Sequence, residues 1–372
     1  MRQRPPVYPV FLPYAGCPFQ CIYCDQHAVT AVDSHQPLFE QAVRQMASLA
    51  KHVRTGGHPG EIAFYGGTFT ALPHDLLTRL LDLAAGYVSQ ALFTGIRCST
   101  RPDCLQQPVL ALLTKYPVTT VELGIQSFSD TVLHHSRRGY TRRQALEACA
   151  LVHQNHWNLG VQLMVGLPAD TPRRFLATVT ETIAVCPRFV RLYPVLVFPG
   201  TVLAKWTACG QYAPLTVEQA VDWCVPAFDA CARAGVPIVR LGLLISGSVD
   251  PGSTIVAGPW HPAFGQLVRS ASWRRRIDEA LGQANQPLEG HSLTVRVGRR
   301  QVSDVLGLKR QNLTYWLNRW GLKQVRAEGT GSDETNGFAI ILVPHRPNRD
   351  RPVANSHQSG PCVPFQIGRA HV

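Results

Sequence analysis

Residues 17–24 read Cys17-Pro-Phe-Gln-Cys21-Ile-Tyr-Cys24, which places three cysteines within eight residues. Three thiolates are too few for a structural zinc site, which takes four ligands, and too few for an iron–sulfur cluster with one cysteine on each of four irons. A [4Fe–4S] cluster held by these cysteines would keep one iron for a ligand that is not protein. The stretch therefore indicates chemistry rather than a structural metal.

The length and composition favour one large α/β core. The chain has 372 residues, 45% of them hydrophobic, and a parallel α/β barrel can use most of that length. The N-terminus has no apolar signal region, and no stretch is apolar enough to span a bilayer. We expect a soluble, cytoplasmic protein with no membrane partner. The odd number of cysteines, eleven, fits reduced thiols better than disulfides.

The net charge of +12 is concentrated in one region of the chain. Between residues 266 and 326 there are twelve Arg or Lys against four Asp or Glu. Such a region favours an anionic partner, nucleic acid first. A solvated, arginine-rich surface without a partner is an equal alternative.

Apolar runs of strand length alternate with segments of helical period, the pattern of repeated βα units around a parallel sheet. The predicted strands are 7–12, 61–64, 91–98, 119–123, 160–165, 190–197 and 237–243. The predicted helices are 38–53, 75–87, 142–155, 171–185 and 217–234. We therefore predict an α/β fold with a partial (β/α)6-type TIM barrel over residues 1–245.

A small α/β extension is predicted to follow over residues 246–345, with a basic helix, a strand at 292–297, a helix near 302–320 and a strand at 338–343. Residues 346–372 lack periodicity, which predicts a disordered tail. The last six residues match a translation of a widely used sequencing adapter, so no functional argument rests on them.

A polar or glycine-rich cluster follows each of several predicted strands. These clusters are the cysteine loop, Gly66-Gly67-Thr68, Ser99-Thr-Arg-Pro-Asp103, Gln126-Ser127 and Gly166-Leu-Pro168. In a parallel barrel such strand ends gather on one face, where active sites lie. The five separate motifs therefore predict a single site.

Taken in order, these motifs resemble those of the radical S-adenosylmethionine (SAM) enzymes, and more narrowly of bacterial proteins related to Elongator protein 3, over about residues 7–243. The resemblance implies that Cys17, Cys21 and Cys24 bind three irons of a [4Fe–4S] cluster and that SAM binds the fourth. It further implies that an electron from a flavodoxin- or ferredoxin-type donor cleaves SAM to a 5′-deoxyadenosyl radical. The alternative is a zinc site completed by a distant His or Cys.

The same resemblance implies which residues contact SAM. Tyr23 would lie against the adenine, and the turn of Gly66, Gly67 and Thr68 would accept hydrogen bonds from the amino group. Ser99 offers a hydroxyl, and Arg101 offers a guanidinium that suits a carboxylate. Gln126 and Ser127 would hydrogen-bond the ribose or methionine part, and Gly166 would approach the adenine. Gln162 stands where some relatives use an acidic residue on the ribose hydroxyls. The plainer alternatives are tight turns at the glycines and a surface ion pair between Arg101 and Asp103.

Two residues further along are candidates for contact with substrate. Arg240 lies within an apolar strand, where a charge needs a partner or a ligand. His261 lies in an aromatic-rich turn, Gly258-Pro-Trp-His261-Pro-Ala-Phe264, which suits a lid or a base-stacking platform. The alternative for that turn is packing of Trp260 and Phe264 between domains.

The first functional hypothesis is a radical SAM enzyme that acts on RNA, specifically on a tRNA base. The second is an enzyme similar to oxygen-independent coproporphyrinogen oxidases, with a small anionic substrate. The third is a non-catalytic protein that keeps the cluster and binds RNA or haem. The sequence shows no second cysteine trio and no acetyl-CoA loop, so the acetyltransferase half of the Elongator reaction is not expected to carry over.

Overall fold

The computed structural model describes residues 5–18, 20–25, 37–243, 251–284, 287–331, 337–344 and 365–370. The contacts between residues divide the chain into two compact units, Met1–Pro262 and Ala263–Val372. The domain boundary that we place at residue 245 stays a prediction.

Seven parallel strands form the sheet of the first unit. They are β1 (Val7–Phe11), β2 (Glu61–Tyr65), β3 (Gly95–Thr100), β4 (Val118–Gln126), β5 (Asn158–Val165), β6 (Phe189–Pro194) and β7 (Ile238–Leu241). Their order in space is their order in the chain, and each is parallel to the next. Parallel strands covered by helices are apolar over most of their length, as β2 shows, with Ile62, Ala63 and Phe64 fully buried.

Helices connect these strands. They are α1 (Leu38–Arg54), α2 (His74–Ser89), α3 (Val109–Leu113), α4 (Asp130–His135), α5 (Arg142–Gln154), α6 (Pro172–Ala184), α7 (Val202–Ala208) and α8 (Val217–Arg233), with α9 (Pro251–Thr254) after β7. The starts of α5 and α8 are fixed by capping boxes, in which Thr141 pairs with Gln144 and Thr216 with Gln219. The result is six βα units and a seventh strand, which confirms the predicted α/β partial barrel.

One strand begins later than the sequence predicts. The apolar pattern places residues 91–94 in β3, but this strand begins at Gly95. Ala91 has a φ of 57°, and its N–H bonds to the carbonyl of Val88 at 2.9 Å. The apolar residues after it therefore close the end of α2 instead of extending the strand.

The second unit contains a four-stranded mixed sheet. Its elements are α10 (Phe264–Gly282), β8 (His291–Gly298), α11 (Val302–Leu306), α12 (Gln311–Trp320), β9 (Gln324–Thr330), β10 (Phe338–Pro344) and β11 (Phe365–Ala370). The strand order is β11-β10-β8-β9, with β8 and β9 parallel and the other two pairs antiparallel. Its core includes Trp273, Leu293, Val295, Trp316 and Ile340.

Two expectations for this unit are corrected. The single helix predicted near 302–320 is two helices, because Gly307 has a φ of 75° and interrupts the helical path. Strand β9 is not predicted from the sequence, since Gln324-Val-Arg-Ala-Glu-Gly-Thr330 has few apolar residues.

Predicted disorder over residues 346–372 falls mainly outside the described residues. Within them, however, Phe365–Ala370 form β11, which pairs with β10 through backbone groups that an edge strand leaves available. None of the described helices is both long and apolar enough to cross a membrane.

Candidate active site

A cavity of about 770 Å³ lies inside the half-barrel, and residues from all seven strands line it. Its walls also include the loops that follow β1, β2 and β3. Most of the residues that the sequence predicted as one site meet here. They are Cys17, Cys21, Tyr23, Cys24, Gly66, Gly67, Thr68, Ser99, Arg101, Gln126, Gln162 and Arg240.

The three loop cysteines form no disulfide, and they face this cavity. The Cys17 sulfur lies 3.4 Å from the hydroxyl of Thr68, and the Cys24 N–H bonds to the carbonyl of Cys21 at 3.1 Å. Within the described ranges, no three His, Cys, Asp or Glu side chains converge closely enough to hold one metal ion. A [4Fe–4S] cluster takes each thiolate on a different iron and needs no such convergence, so the three thiols fit a cluster.

Arg138 is the site residue that the sequence analysis missed. It is 4% exposed, and its guanidinium donates to the Cys21 sulfur at 2.8 Å, to the Tyr23 hydroxyl at 3.1 Å and to the Gly124 carbonyl at 2.7 Å. Burial alone would lower the pKa of Arg138, but Tyr140, Tyr23 and Cys21 raise it above its usual value. A permanently positive group therefore lies against the cysteine loop.

The signal for Arg138 in the sequence is weak. It occurs in Ser136-Arg-Arg-Gly-Tyr140, after α4 rather than at the end of a strand, where site residues are expected. Its position depends on a tertiary contact, since the Tyr140 hydroxyl donates to the Gly124 carbonyl at 2.8 Å and brings this segment back to β4.

Tyr23 lies beside that guanidinium. Its side chain is buried, and burial raises the pKa of its phenol well above the usual value. The hydroxyl is therefore neutral, and it accepts the hydrogen bond from Arg138.

The Gly66-Gly67-Thr68 turn brings backbone to the cavity wall beside the cysteine loop. A β-carbon on Gly67 would lie 2.0 Å from the carbonyl oxygen of Ala15, so no side chain can be accommodated there. The Thr68 N–H bonds to that same carbonyl at 2.8 Å. The turn is therefore tied to the loop that carries Cys17.

Arg101 combines both interpretations given to it from the sequence. It pairs with Asp103 at 2.9 Å, as in the plainer alternative, but it is buried and also lines the cavity. A guanidinium nitrogen lies 4.0 Å from the Cys21 sulfur, and another donates to the carbonyl of Arg138. Gln126 and Gln162 lie on neighbouring strands, with the Gln162 amide donating to Gln126 at 3.5 Å.

Three predicted residues do not line the cavity. The Ser127 hydroxyl lies 3.2 Å from that of Thr178 instead. The Gly166 carbonyl accepts a hydrogen bond from Tyr212 at 2.7 Å. His261 is half-buried and lies outside the cavity wall.

The end of the cavity formed by β6 and β7 contains two arginines. Arg191 and Arg240 are register partners on these strands. Arg191 forms an ion pair with Glu122 at 2.8 Å and donates to the Tyr65 hydroxyl at 2.6 Å. Arg240 has no side-chain hydrogen bond or ion pair with any described residue. Within the described part of the chain, it is therefore an unpaired cation in the cavity wall.

Glu122 connects this end to a buried ionic network. It pairs with Arg97 at 3.0 Å, and Arg97 also pairs with Glu61. The pKa of Glu61 is lowered, because hydrogen bonds from Thr119 and Thr120 and the charge of Arg97 outweigh the effect of burial. Two carboxylates and two guanidinium groups thus neutralise one another inside the half-barrel.

This geometry has a counterpart in known proteins. Residues 11–181 match the model of the Radical SAM superfamily, and residues 187–274 match that of the Radical_SAM C-terminal domain. The chain belongs to the radical SAM superfamily. Members of this superfamily use a [4Fe–4S] cluster and SAM, which are the cofactors that the sequence predicted, and the chain is a radical SAM enzyme.

The curated relatives of this radical SAM enzyme include the tRNA uridine(34) acetyltransferase of Dehalococcoides mccartyi, 29% identical over 230 residues. That match covers 53% of this chain and 50% of the relative. Heme chaperone HemW of Synechocystis is 28% identical over 229 residues, which cover 59% of this chain and 54% of that protein. The chain thus spans about half the length of the curated relatives it matches.

Among solved structures, the archaeal Elp3 of Methanocaldococcus infernus superposes with a TM-score of 0.56 at 20% identity. The superposition covers 91% of this chain and 74% of that one. At this identity the similarity supports the radical SAM fold alone.

Proposed function

We propose that this radical SAM enzyme holds its cluster on Cys17, Cys21 and Cys24 and modifies tRNA. The observation that carries the first half is the presence of three cysteine side chains, not joined in disulfides, in one cavity wall together with the strand-end residues. When bound, the cluster and SAM supply a 5′-deoxyadenosyl radical, and the protein supplies position and shielding from water.

Arg138 suits the cysteine loop to an anionic cluster. The Arg138 guanidinium donates a hydrogen bond to the Cys21 sulfur at 2.8 Å and places a positive charge beside it. The same hydrogen bond would fix the orientation of that ligand. Because Arg138 is held by Tyr23 and Gly124 as well, it needs no rearrangement to do so.

The β1–β5 side of the cavity suits SAM. The glycine turn at Gly66 and Gly67 allows close approach of a ligand amino group to backbone carbonyls. Gln126, Gln162 and Ser99 offer neutral hydrogen-bonding groups for a ribose. Ser127, Gly166 and His261 are not part of this proposal, since they do not line the cavity.

The β6–β7 side then remains for substrate. Arg240 is a cation without a described partner, and Tyr193 and Phe198, which line the same cavity, offer aromatic surface. A nucleotide, with a base that stacks and a phosphate that pairs with arginine, matches that combination. One relative of this chain is a tRNA uridine(34) acetyltransferase, which supports tRNA as the molecule that contains this nucleotide. A flavodoxin- or ferredoxin-type protein would deliver the electron.

Anaerobic reconstitution with iron and sulfide tests the cluster. The wild-type chain should take up about four irons and release 5′-deoxyadenosine from SAM when reduced. Replacing any one of the three loop cysteines by alanine should abolish the release. Cys209→Ala is the matched control, because Cys209 is an exposed cysteine that does not line the cavity, and it should keep both properties. Equal iron content and release in all four variants would contradict the proposed ligands.

The substrate is tested by mass spectrometry of tRNA nucleosides from a strain that lacks the gene. A nucleoside that disappears in this strain and returns with the wild-type gene, but not with the Cys24→Ala gene, supports tRNA modification. An unchanged nucleoside profile contradicts it.

Haem handling is the second candidate, and the similarity to heme chaperone HemW favours it. A haem-handling protein should bind hemin stoichiometrically and leave tRNA nucleosides unchanged. Tight hemin binding together with no release of 5′-deoxyadenosine would favour this candidate over tRNA modification.

A further inference from the structure

A short turn joins α11 and α12 in the second unit. Gly307 begins it with a φ of 75°, and a β-carbon there would lie 2.7 Å from the Ser270 hydroxyl of α10. Two helices joined by the turn 307–310, which contains a glycine, have the connectivity of a helix–turn–helix, and the segment is given that name here. Here it runs from the short 3₁₀ turn Arg299–Gln301 to the end of α12.

One face of α12 is held rigidly. The Asn312 side chain is fully buried, and its amide donates to the Ser270 carbonyl, the Ser270 hydroxyl and the Val305 carbonyl, each at 3.0 Å. Trp316, one turn further on, is fully buried in the core. The helix is thereby fixed to α10 and α11, so its other face has a defined orientation.

That other face carries a row of uncharged hydrogen-bonding groups. Gln311, Thr314 and Asn318 are exposed at positions i, i+3 and i+7 of the helix. Residues at these spacings lie on one side of a helix. Cations flank the row, with Lys309 and Arg310 immediately before it and Lys323 after it.

The segment that contains this row is strongly basic. Residues 298–326 contain seven Arg or Lys and one acid, Asp304, which pairs with Arg269 at 2.9 Å. Lys309, Arg310 and Lys323 are exposed, and none forms a hydrogen bond through its side chain or an ion pair with a described residue. Cations that have no counter-ion repel one another, and a bound polyanion would lower this repulsion energy.

We infer that the helix–turn–helix of residues 299–323 is an RNA-binding surface. Lys309, Arg310 and Lys323 hold phosphates, and Gln311, Thr314 and Asn318 face the edges of unpaired bases. The choice of RNA rests on the proposed function in tRNA modification, whereas the assignment of the surface rests on its charge and exposed polar row.

Binding of bulk tRNA by the full chain, measured over a series of salt concentrations, tests this inference. The triple variant Lys309→Gln, Arg310→Gln, Lys323→Gln should bind at least tenfold more weakly at low salt. Its salt slope should fall by about three, because each of the three cations neutralises one phosphate. Asn318→Ala should weaken binding and leave the slope unchanged, because it removes no charge.

The matched control is Lys51→Gln, Lys115→Gln, Lys205→Gln, which removes the same charge from exposed positions of the first unit. It should bind tRNA as the wild type does. The temperature of thermal unfolding should be the same in both triple variants as in the wild type. If the first triple variant unfolds at a lower temperature, the single variants Lys309→Gln and Lys323→Gln replace it in the binding measurement.

Three results would overturn the inference. They are wild-type binding by the triple variant, an equal weakening in the control, and tighter binding of duplex DNA of equal length with the same dependence on the three cations. Iron uptake by the reconstituted protein and the tRNA nucleoside profile are measured separately from RNA binding, so failure of this inference is distinguishable from failure of the proposed function.

Discussion

The ionic network of Arg97, Arg191, Glu61 and Glu122 inside the half-barrel and the cations of the helix–turn–helix surface follow opposite rules. Inside the barrel, Arg97 and Arg191 each pair with carboxylates, and these two arginines with their two glutamates have no net charge. On the surface, Lys309, Arg310 and Lys323 have no described partner. A buried charge must be neutralised within the protein, whereas an exposed one is stabilised by water and remains available to another molecule. The first set therefore fixes a cavity, and the second can bind a partner.

The largest effect is expected from breaking the interior network. Glu122→Gln leaves Arg97 and Arg191 facing a neutral amide, because Glu122 pairs with both. Loss of one partner of a buried ion pair costs about 3–5 kcal/mol of unfolding free energy. Urea unfolding of the variant measures this change, and a change below about 1 kcal/mol, the range of an exposed pair, would show that the network is not structural.

Asp170 provides a buried carboxyl without a counter-ion at hydrogen-bond distance among the described residues. Burial raises its pKa to about 7, and one carboxyl oxygen is buried without a described partner. The folded protein thus keeps a proton that the unfolded chain loses near pH 4, so stability falls as pH rises from about 4 to about 7.

The Asp170→Asn variant should lack this dependence. The difference in unfolding free energy between the variant and the wild type should grow by on the order of 3 kcal/mol from about pH 4 to about pH 8, in favour of the variant. Chemical unfolding at both pH values measures it. A difference that is constant with pH would mean that the carboxyl titrates normally.

Arg138→Lys is expected to have an intermediate effect on stability. It keeps the positive charge but loses the planar guanidinium, whose several N–H groups donate at once. A lysine cannot reach Cys21, Tyr23 and Gly124 together, which leaves at least one buried group unpaired. We expect a decrease of about 1–3 kcal/mol in unfolding free energy and a lower iron content after reconstitution. Full iron content in a destabilised variant would limit Arg138 to a structural role.

The smallest effect belongs to an exposed pair in the second unit. Arg296 and Glu328 lie 3.1 Å apart on β8 and β9, with both side chains about half exposed. Glu328→Gln should change the unfolding free energy by less than about 1 kcal/mol, because water screens such pairs. It is the matched control for Glu122→Gln, and equal changes in the two variants would remove the distinction between interior and surface charges.

The sequence predicted the barrel and most of its cavity wall. The alternation of strands and helices was sufficient because parallel strands end on the same face, so motifs such as Gly66-Gly67-Thr68 and Gln126 had to meet. One residue of a motif lies outside that wall. Ser127 follows Gln126 directly, but successive residues at a strand end face opposite directions, and Ser127 contacts Thr178.

The order of motifs by itself determined the family, the cofactors and the strand order of the half-barrel, because these depend on spacing along the chain. Only the tertiary structure placed Arg138 against Cys21, balanced Arg191 with Glu122 and left Arg240 and the helix–turn–helix cations without described partners. Whether a charge is paired depends on its distance in space from groups that are far away in the sequence. A local sequence pattern contains no information about that distance. The cysteine loop thus defined the chemistry, and the fold decided which charges remain available to a substrate.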